Sequence, residues 1–280
     1  MTKKSVLDLY RMKDSDEKVC WITAYDAPIA SLAEQAGIDM LLVGDSAGMC
    51  VHGHAGTNEM TMPIMLVHTA AVRRGAPSTF VIGDMPFLSY QVSCEEAVRN
   101  AGRFIQAGAD AVKLEGGRRV TEQIRAISDA GIVAFGHIGL TPQSSGQLGG
   151  FRAQGLTAES AEAMIADAEA VEGAGAMLLL VEAVAPEVTE LIRQRLSIPV
   201  YGIGAGPHTD GQLLIVSDLL GIFEAFTPKF VKRYAALAGT IKDAFAAYRE
   251  DVKSGGFPGP EHVYNMPENE RDQLYADLAR

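Results

Sequence analysis

Five ionisable residues, Asp45, Asp84, Glu115, His137 and Glu182, close five short apolar runs: "MLLVGD", "FVIGD", "AVKLE", "VAFGH" and "MLLLVE". Carboxylates and an imidazole in this number suit proton transfer and the binding of a hard cation. Lys113 joins them, because side chains two apart on a strand share a face: Lys113 and Glu115 point one way, Val112 and Leu114 the other. A charged pair aimed into a fold is costly unless it is paired or coordinates something. Two neighbouring aspartates repel unless a cation lies between them. Asp45 and Asp84 therefore suggest a metal, and oxygen ligands select Mg²⁺ over zinc. Two or three protein carboxylates leave room in the shell for water and for a chelating 2-oxo acid.

Taken singly, each residue has a plainer reading. Asp45 and Asp84 suit turns or helix caps, Glu115 and Lys113 suit a structural ion pair, His137 suits a hydrogen-bonded core position, and Glu182 suits a solvated strand end. What favours a site is coincidence, since all five fall at the same end of five runs. His52 and His54 have the spacing of a metal pair, but their glycine-rich loop offers no further ligand and reads as loop structure. "GIGAG" (202–206) is a weak phosphate cradle and reads as tight packing or substrate access.

The apolar runs must be strands for this argument to hold. They lie at 19–25, 40–45, 80–84, 111–115, 133–137, 177–182, 199–204 and, least clearly, 219–223. Helical stretches at 27–36, 63–74, 93–107, 119–130, 157–174 and 186–195 separate them. Such alternation implies a parallel sheet, and eight repeats over about 250 residues favour a (β/α)8 TIM barrel over a doubly wound sheet. No GxGxxG follows the first strand, where a doubly wound sheet would carry it. In a barrel the run ends converge on one mouth, and parity turns Ile82, Phe135 and Leu180 inward with Asp84, His137 and Glu182. Segments 44–61 and 139–155 are too long for simple connectors and read as binding loops or a lid. Residues 1–256 read as the catalytic barrel domain with an N-terminal helix, and 257–280 as a polar, proline-broken tail.

Composition narrows the class. The 280 residues are 48% hydrophobic and carry a formal net charge of -11, which argues against nucleic acid or anionic membranes as partners and for small molecules. Three cysteines without a CxxC fit a reducing cytoplasm, and residues 1–18 lack a signal-peptide core.

The motifs together closely resemble the ketopantoate hydroxymethyltransferase family. They are "ITAYDAPIA" (22–30), "LLVGDSAGM" (41–49), "HTAAVRRGAP" (68–77), "DMPFLSY" (84–90), "AVKLEGG" (111–117), "GHIGLTPQS" (136–144), "GIGAG" with "TDGQLL" (202–214) and "PKFVKRY" (228–234). The resemblance implies a barrel of the phosphoenolpyruvate mutase/isocitrate lyase-like superfamily and a homodecamer. It implies one Mg²⁺ per subunit, 5,10-methylenetetrahydrofolate as one-carbon donor and 3-methyl-2-oxobutanoate as acceptor, giving 2-dehydropantoate for pantothenate and coenzyme A biosynthesis. Carried over by position, Asp45 and Asp84 match the metal ligands, with Glu115 acting on the metal through water. Ser46, Lys113 and His137 match residues that hold the oxo acid, and Glu182 matches the general base. The chain departs from the usual pattern at Ala47, where leucine is common, and in "GHAGTNEMT" (53–61), and it runs past the usual end after about His262. Two competing readings are a Mg²⁺-dependent 2-oxo acid lyase of the same superfamily and a non-catalytic metabolite-binding barrel. Against the first, Cys20, Cys50 and Cys94 lie in no loop motif of the lyase kind; against the second, a base stands opposite two metal-type aspartates.

Overall fold

The computed structural model describes residues 3–280, so the first two residues of the segment read as barrel domain lie outside the described residues. Eight parallel strands close into a barrel in sequence order: β1 (Val19–Thr23), β2 (Met40–Val43), β3 (Phe80–Asp84), β4 (Ala111–Glu115), β5 (Val133–Gly139), β6 (Leu178–Glu182), β7 (Val200–Ile203) and β8 (Gly211–Leu214). β1 pairs with both β2 and β8, which completes the closure.

The side-chain period of two sorts each strand. Trp21, Met40, Ile82, Phe135, Leu180 and Tyr201 belong to an inner buried cluster, while Leu41, Val81, Val112, Leu114 and Leu179 belong to the shell between strands and helices. Inside, Trp21 stacks on Phe135 at 5.6 Å, and Tyr201 meets both edge-on at 5.5 and 5.9 Å. Three large rings fill the barrel, as a packed core requires, and leave no pore. The N-terminal helix Val6–Asp14 plugs the lower end: Leu9 and Met12 join the inner cluster, and Lys13 Nζ donates to Ile198 O at 2.8 Å. Only the upper end is open.

Seven of the eight apolar runs are strands, and the six expected helices are present within about two residues. The eighth strand is Gly211–Leu214, not 219–223. Residues 219–223 end the short helix Val216–Leu219 and turn through Gly221 at φ 64°. Asp210 fixes the true position: its carboxylate accepts the Val200 N–H at 2.8 Å and its carbonyl accepts the Val19 N–H at 2.9 Å, clamping β8 between β7 and β1. Gly211 is also required there, because a Cβ would lie 2.2 Å from Val19 O. No helix of the regular kind intervenes between β7 and β8, so an expectation of strict alternation moves the last strand too late.

Gly83 shows how tightly the shell is packed. It faces outward between the inward Ile82 and Asp84, and a Cβ there would meet Phe104 Cδ1 at 2.4 Å. Gly83→Ala is expected to destabilise the protein by about 1–3 kcal/mol through overpacking. Urea denaturation checks this, and an unchanged midpoint would show that the helix Cys94–Gln106 can yield.

Candidate active site

Each predicted site residue except Ser46 and Lys113, which lies midway along β4, is near the upper end of its strand or just past it, and register places them side by side. Lys113 pairs across the sheet with Asp84, and Glu115 pairs with His137. Lys113, Asp84, Glu115, His137 and Asp45 are 2%, 1%, 4%, 1% and 4% exposed. All of them line one cavity of ≈ 410 Å³ at the open end, together with Ser46 and Glu182.

Lys113 sits at the centre. Its Nζ is 2.7 Å from Asp84 Oδ1 and 3.2 Å from Glu115 Oε1. Burial works against its charge, but Asp84, Glu115 and Asp45 outweigh burial and hold its pKa well above the ordinary lysine value. Glu115 is the reciprocal case: burial would raise it, yet Lys113 and His137 bring it down to about 2. Burial and Lys113 both disfavour a charged His137, while hydrogen bonds to Glu115 and Glu182 prevail and raise it. Its Nε2 lies 3.1 Å from Glu182 Oε2.

Asp45 is the residue without a cation. Burial, followed by the charges of Asp84 and Glu115, pushes its carboxyl well above the usual range. Burial raises Asp84 as well, against the pull of Lys113. A group in this state takes up a proton or a cation. Among the described residues, no three or more His, Cys, Asp or Glu side chains form a ready-made metal cage. Asp45 and Asp84 instead offer a partial, all-oxygen set, which fits Mg²⁺ completed by water and substrate. The donor chemistry therefore suits the ion that the sequence suggests.

The sequence did not single out Gln143, which organises the site. Its backbone N–H donates to Glu115 Oε2 at 3.0 Å. Its side-chain amide donates to Asp45 Oδ2 and to Met85 O, both at 2.9 Å, and accepts from Tyr90 Oη at 2.8 Å. Tyr90 accepts the Glu115 N–H at 3.1 Å through the same oxygen. The sequence signals for Gln143 were its place in the long 139–155 segment and in the motif "GHIGLTPQS", neither of which gave it a role. That segment crosses the mouth, pinned where Gln154 N donates to Ala183 O at 2.8 Å, and it contributes Phe151, Arg152 and Ala153 to the cavity. Ala183 turns through φ 49°, a left-handed conformation that is costly for a residue with a Cβ, directly after Glu182. The turn ends β6 and leaves Glu182 with its side chain 16% exposed at the cavity wall.

Ser46 Oγ lies 2.9 Å from Tyr25 Oη and faces the same space. His52 and His54 are not part of it. Their rings stack at 6.0 Å, and His52 Nε2 meets His68 Nε2 at 2.9 Å in an exposed loop. The glycines of "GIGAG" pack instead of cradling an anion: a Cβ at Gly204 would strike Phe230, and one at Gly206 would strike Pro186.

Comparison with known proteins bears on the family and the fold. A family model described as ketopantoate hydroxymethyltransferase matches residues 3–260. The 3-methyl-2-oxobutanoate hydroxymethyltransferase of Alkaliphilus metalliredigens (strain QYMF) is 59% identical over 271 residues, covering 96% of this chain and 96% of that protein. Among solved structures, a 2,3-dimethylmalate lyase of the phosphoenolpyruvate mutase/isocitrate lyase superfamily superposes with a TM-score of 0.60 at 19% identity, covering 98% of each chain. A phosphonopyruvate hydrolase in complex with oxalate and Mg²⁺ superposes with a TM-score of 0.64 at 16% identity, covering 100% of this chain and 99% of that one. At such identities the likeness to these structures is one of fold.

Lys113→Met tests the charge cluster through stability. Removing one partner of a buried ionic network typically costs about 3–5 kcal/mol. Without the ammonium, the remaining carboxylates have folded-state pKa values above their unfolded ones, so stability falls as pH rises through those values. Denaturation of the metal-free protein should show a loss of that size at pH 8 and a smaller one at pH 5. An equal loss at both would mean that Lys113 acts by packing alone.

Proposed function

The chain belongs to the ketopantoate hydroxymethyltransferase family, and from that premise we propose that it transfers a hydroxymethyl group from 5,10-methylenetetrahydrofolate to 3-methyl-2-oxobutanoate, giving 2-dehydropantoate, with Glu182 as general base. One observation carries the assignment of the base. Among the carboxylates at or just past the strand ends, Glu182 is the one neither paired with Lys113 nor shut from solvent: it lies on the cavity wall with its side chain 16% exposed, steadied by His137 at 3.1 Å.

Asp45 and Asp84 would hold Mg²⁺, with Glu115 acting through water. When bound, the cation supplies Lewis-acid polarisation of the ketone, which makes the neighbouring C3–H more acidic. Lys113 stays charged and meets the developing negative charge or the substrate carboxylate. The Ser46 hydroxyl and the His137 imidazole orient the oxo acid. Glu182 takes the C3 proton, and the electron pair left behind forms the new bond to the methylene carbon of the folate's iminium form, whose carbon–nitrogen π pair moves onto nitrogen; the remaining carbon–nitrogen bond breaks in the next step. Water provides the hydroxyl oxygen as tetrahydrofolate departs.

We assign 1–256 to the catalytic barrel and 257–280 to a tail. The helix Leu237–Ser254 has no buried residue and displays Phe245, Tyr248 and Val252. Apolar surface of this extent supports contact between copies of the chain, in line with the homodecamer that the resemblance implies. A cytoplasmic enzyme suits the composition, and among the described residues no helix is long and apolar enough to cross a membrane.

The test is proton NMR of 3-methyl-2-oxobutanoate in D₂O with enzyme and Mg²⁺, without folate. The C3 proton signal should decay, and EDTA should stop the decay. Glu182→Gln should slow exchange by about 10²–10⁴-fold while calorimetry still detects oxo-acid binding. Exchange at the wild-type rate in that variant would remove Glu182 from the role.

A further inference from the structure

A fifth carboxylate of the same cavity has no task in this chemistry. Asp218 lies in the short helix Val216–Leu219 directly after β8, is 7% exposed, and lines the cavity with Asp45, Ser46 and Cys50. Among the described residues, no hydrogen bond or ion pair engages its carboxylate. Burial raises its carboxyl above the usual range, with Arg233 opposing only through its charge. The Cys50 thiol is pushed up by burial and by the charge of Asp218, which places that charge near the Cys50 wall.

A structural role would use the nearby backbone donors, but those are taken. The N–H groups of Asp218, Leu219 and Leu220 donate to Ile215 O, Ile215 O and Val216 O at 3.1, 2.9 and 3.0 Å. A buried carboxylate without donors carries a desolvation cost that a ligand can relieve. The cavity's ≈ 410 Å³ is of the size that takes a drug-sized molecule, well beyond a five-carbon acid. The same cavity is lined by Ile215, Phe223, Phe226 and Phe230, with Lys229 among them, and the Phe223 N–H donates to Ser217 O beside Asp218.

A reduced pterin presents what this corner lacks. Its ring is flat, suited to aromatic walls. Its 2-amino group and N3–H form a planar donor pair that a carboxylate accepts through two parallel hydrogen bonds. We propose that Asp218 recognises the pterin ring of the folate cosubstrate by accepting from its 2-amino group and N3–H, with Phe223 and Phe226 flanking the ring. The assignment rests on the folate-dependent reading above. It divides one cavity in two, with the oxo acid at the charged floor and the pterin at the apolar wall. Asp218 is thus a specificity residue for the second substrate and has no part in removing the C3 proton.

The test uses full-length enzyme with Mg²⁺, the variants Asp218→Asn and Asp218→Ala, and two measurements. Deuterium exchange at C3 of 3-methyl-2-oxobutanoate without folate should stay within about twofold of wild type in both variants. Binding of tetrahydrofolate, followed by calorimetry, should weaken about 10- to 100-fold, the size of a lost charge-assisted pair. An analogue lacking the 2-amino group should bind wild type weakly, and Asp218→Ala should weaken it much less than it weakens tetrahydrofolate. Unchanged tetrahydrofolate binding, or loss of exchange in both variants, would overturn the assignment. Wild-type enzyme showing neither exchange nor tetrahydrofolate binding would bring down the functional reading itself.

Discussion

The ammonium group of Lys113, 2.7 Å from Asp84 and buried to 2% exposure, is the interaction on which the open end of the barrel depends. A cation removed from water must be matched by close negative charge, and Asp84 and Glu115 supply it. Glu115 is then fixed by its own needs: one oxygen faces Lys113 and His137, and the other accepts the Gln143 N–H at 3.0 Å. Gln143 in turn holds Asp45 and Tyr90. A charge requirement deep in the barrel is thereby passed to the loop over its mouth, and the loop's position is set by hydrogen bonds that begin at Lys113.

Strand parity carried most of the fold. In "AVKLE" the alternation of apolar and charged residues is visible by eye, and the structure places Val112 and Leu114 in the shell with Lys113 and Glu115 inside. The same logic holds for Ile82, Phe135 and Leu180. It failed at β8, where the sequence "TDGQLL" reads as a turn followed by a broken run. There the strand is held by the carboxylate and carbonyl of Asp210 and by a glycine that lets β1 approach, and none of these is a hydrophobic signal.

The candidate site divides along the same line. Asp45, Asp84, Glu115, His137 and Glu182 were legible because strands impose position, and a strand end in a barrel has one destination. Gln143, Tyr90 and Tyr25 were not, because they reach the site from loops or by long side chains. Nothing in "TPQSS" distinguishes a glutamine that bonds two carboxylate-bearing segments from one facing solvent. Asp218 was hidden for a further reason: it directly precedes the run 219–223 read as the eighth strand, at the end away from the mouth, whereas it lies in the short helix after the true β8 and lines the cavity.

Clustered carboxylates are not interchangeable as the base that the proposed reaction needs. Glu115, held near a pKa of about 2 by Lys113 and His137, is too weak a base for a carbon acid. Asp84 is committed to Lys113, and Asp45 to Gln143 and to whatever cation relieves its burial. A base must also return its proton to solvent once per turnover, which a sealed position prevents. Glu182, at the wall and partly exposed, can exchange its proton with solvent, and the left-handed turn at Ala183 leaves it there. The same cluster that makes the floor electrostatically rigid thus ties up its own members, and the base proposed for proton transfer is the carboxylate at the cluster's edge.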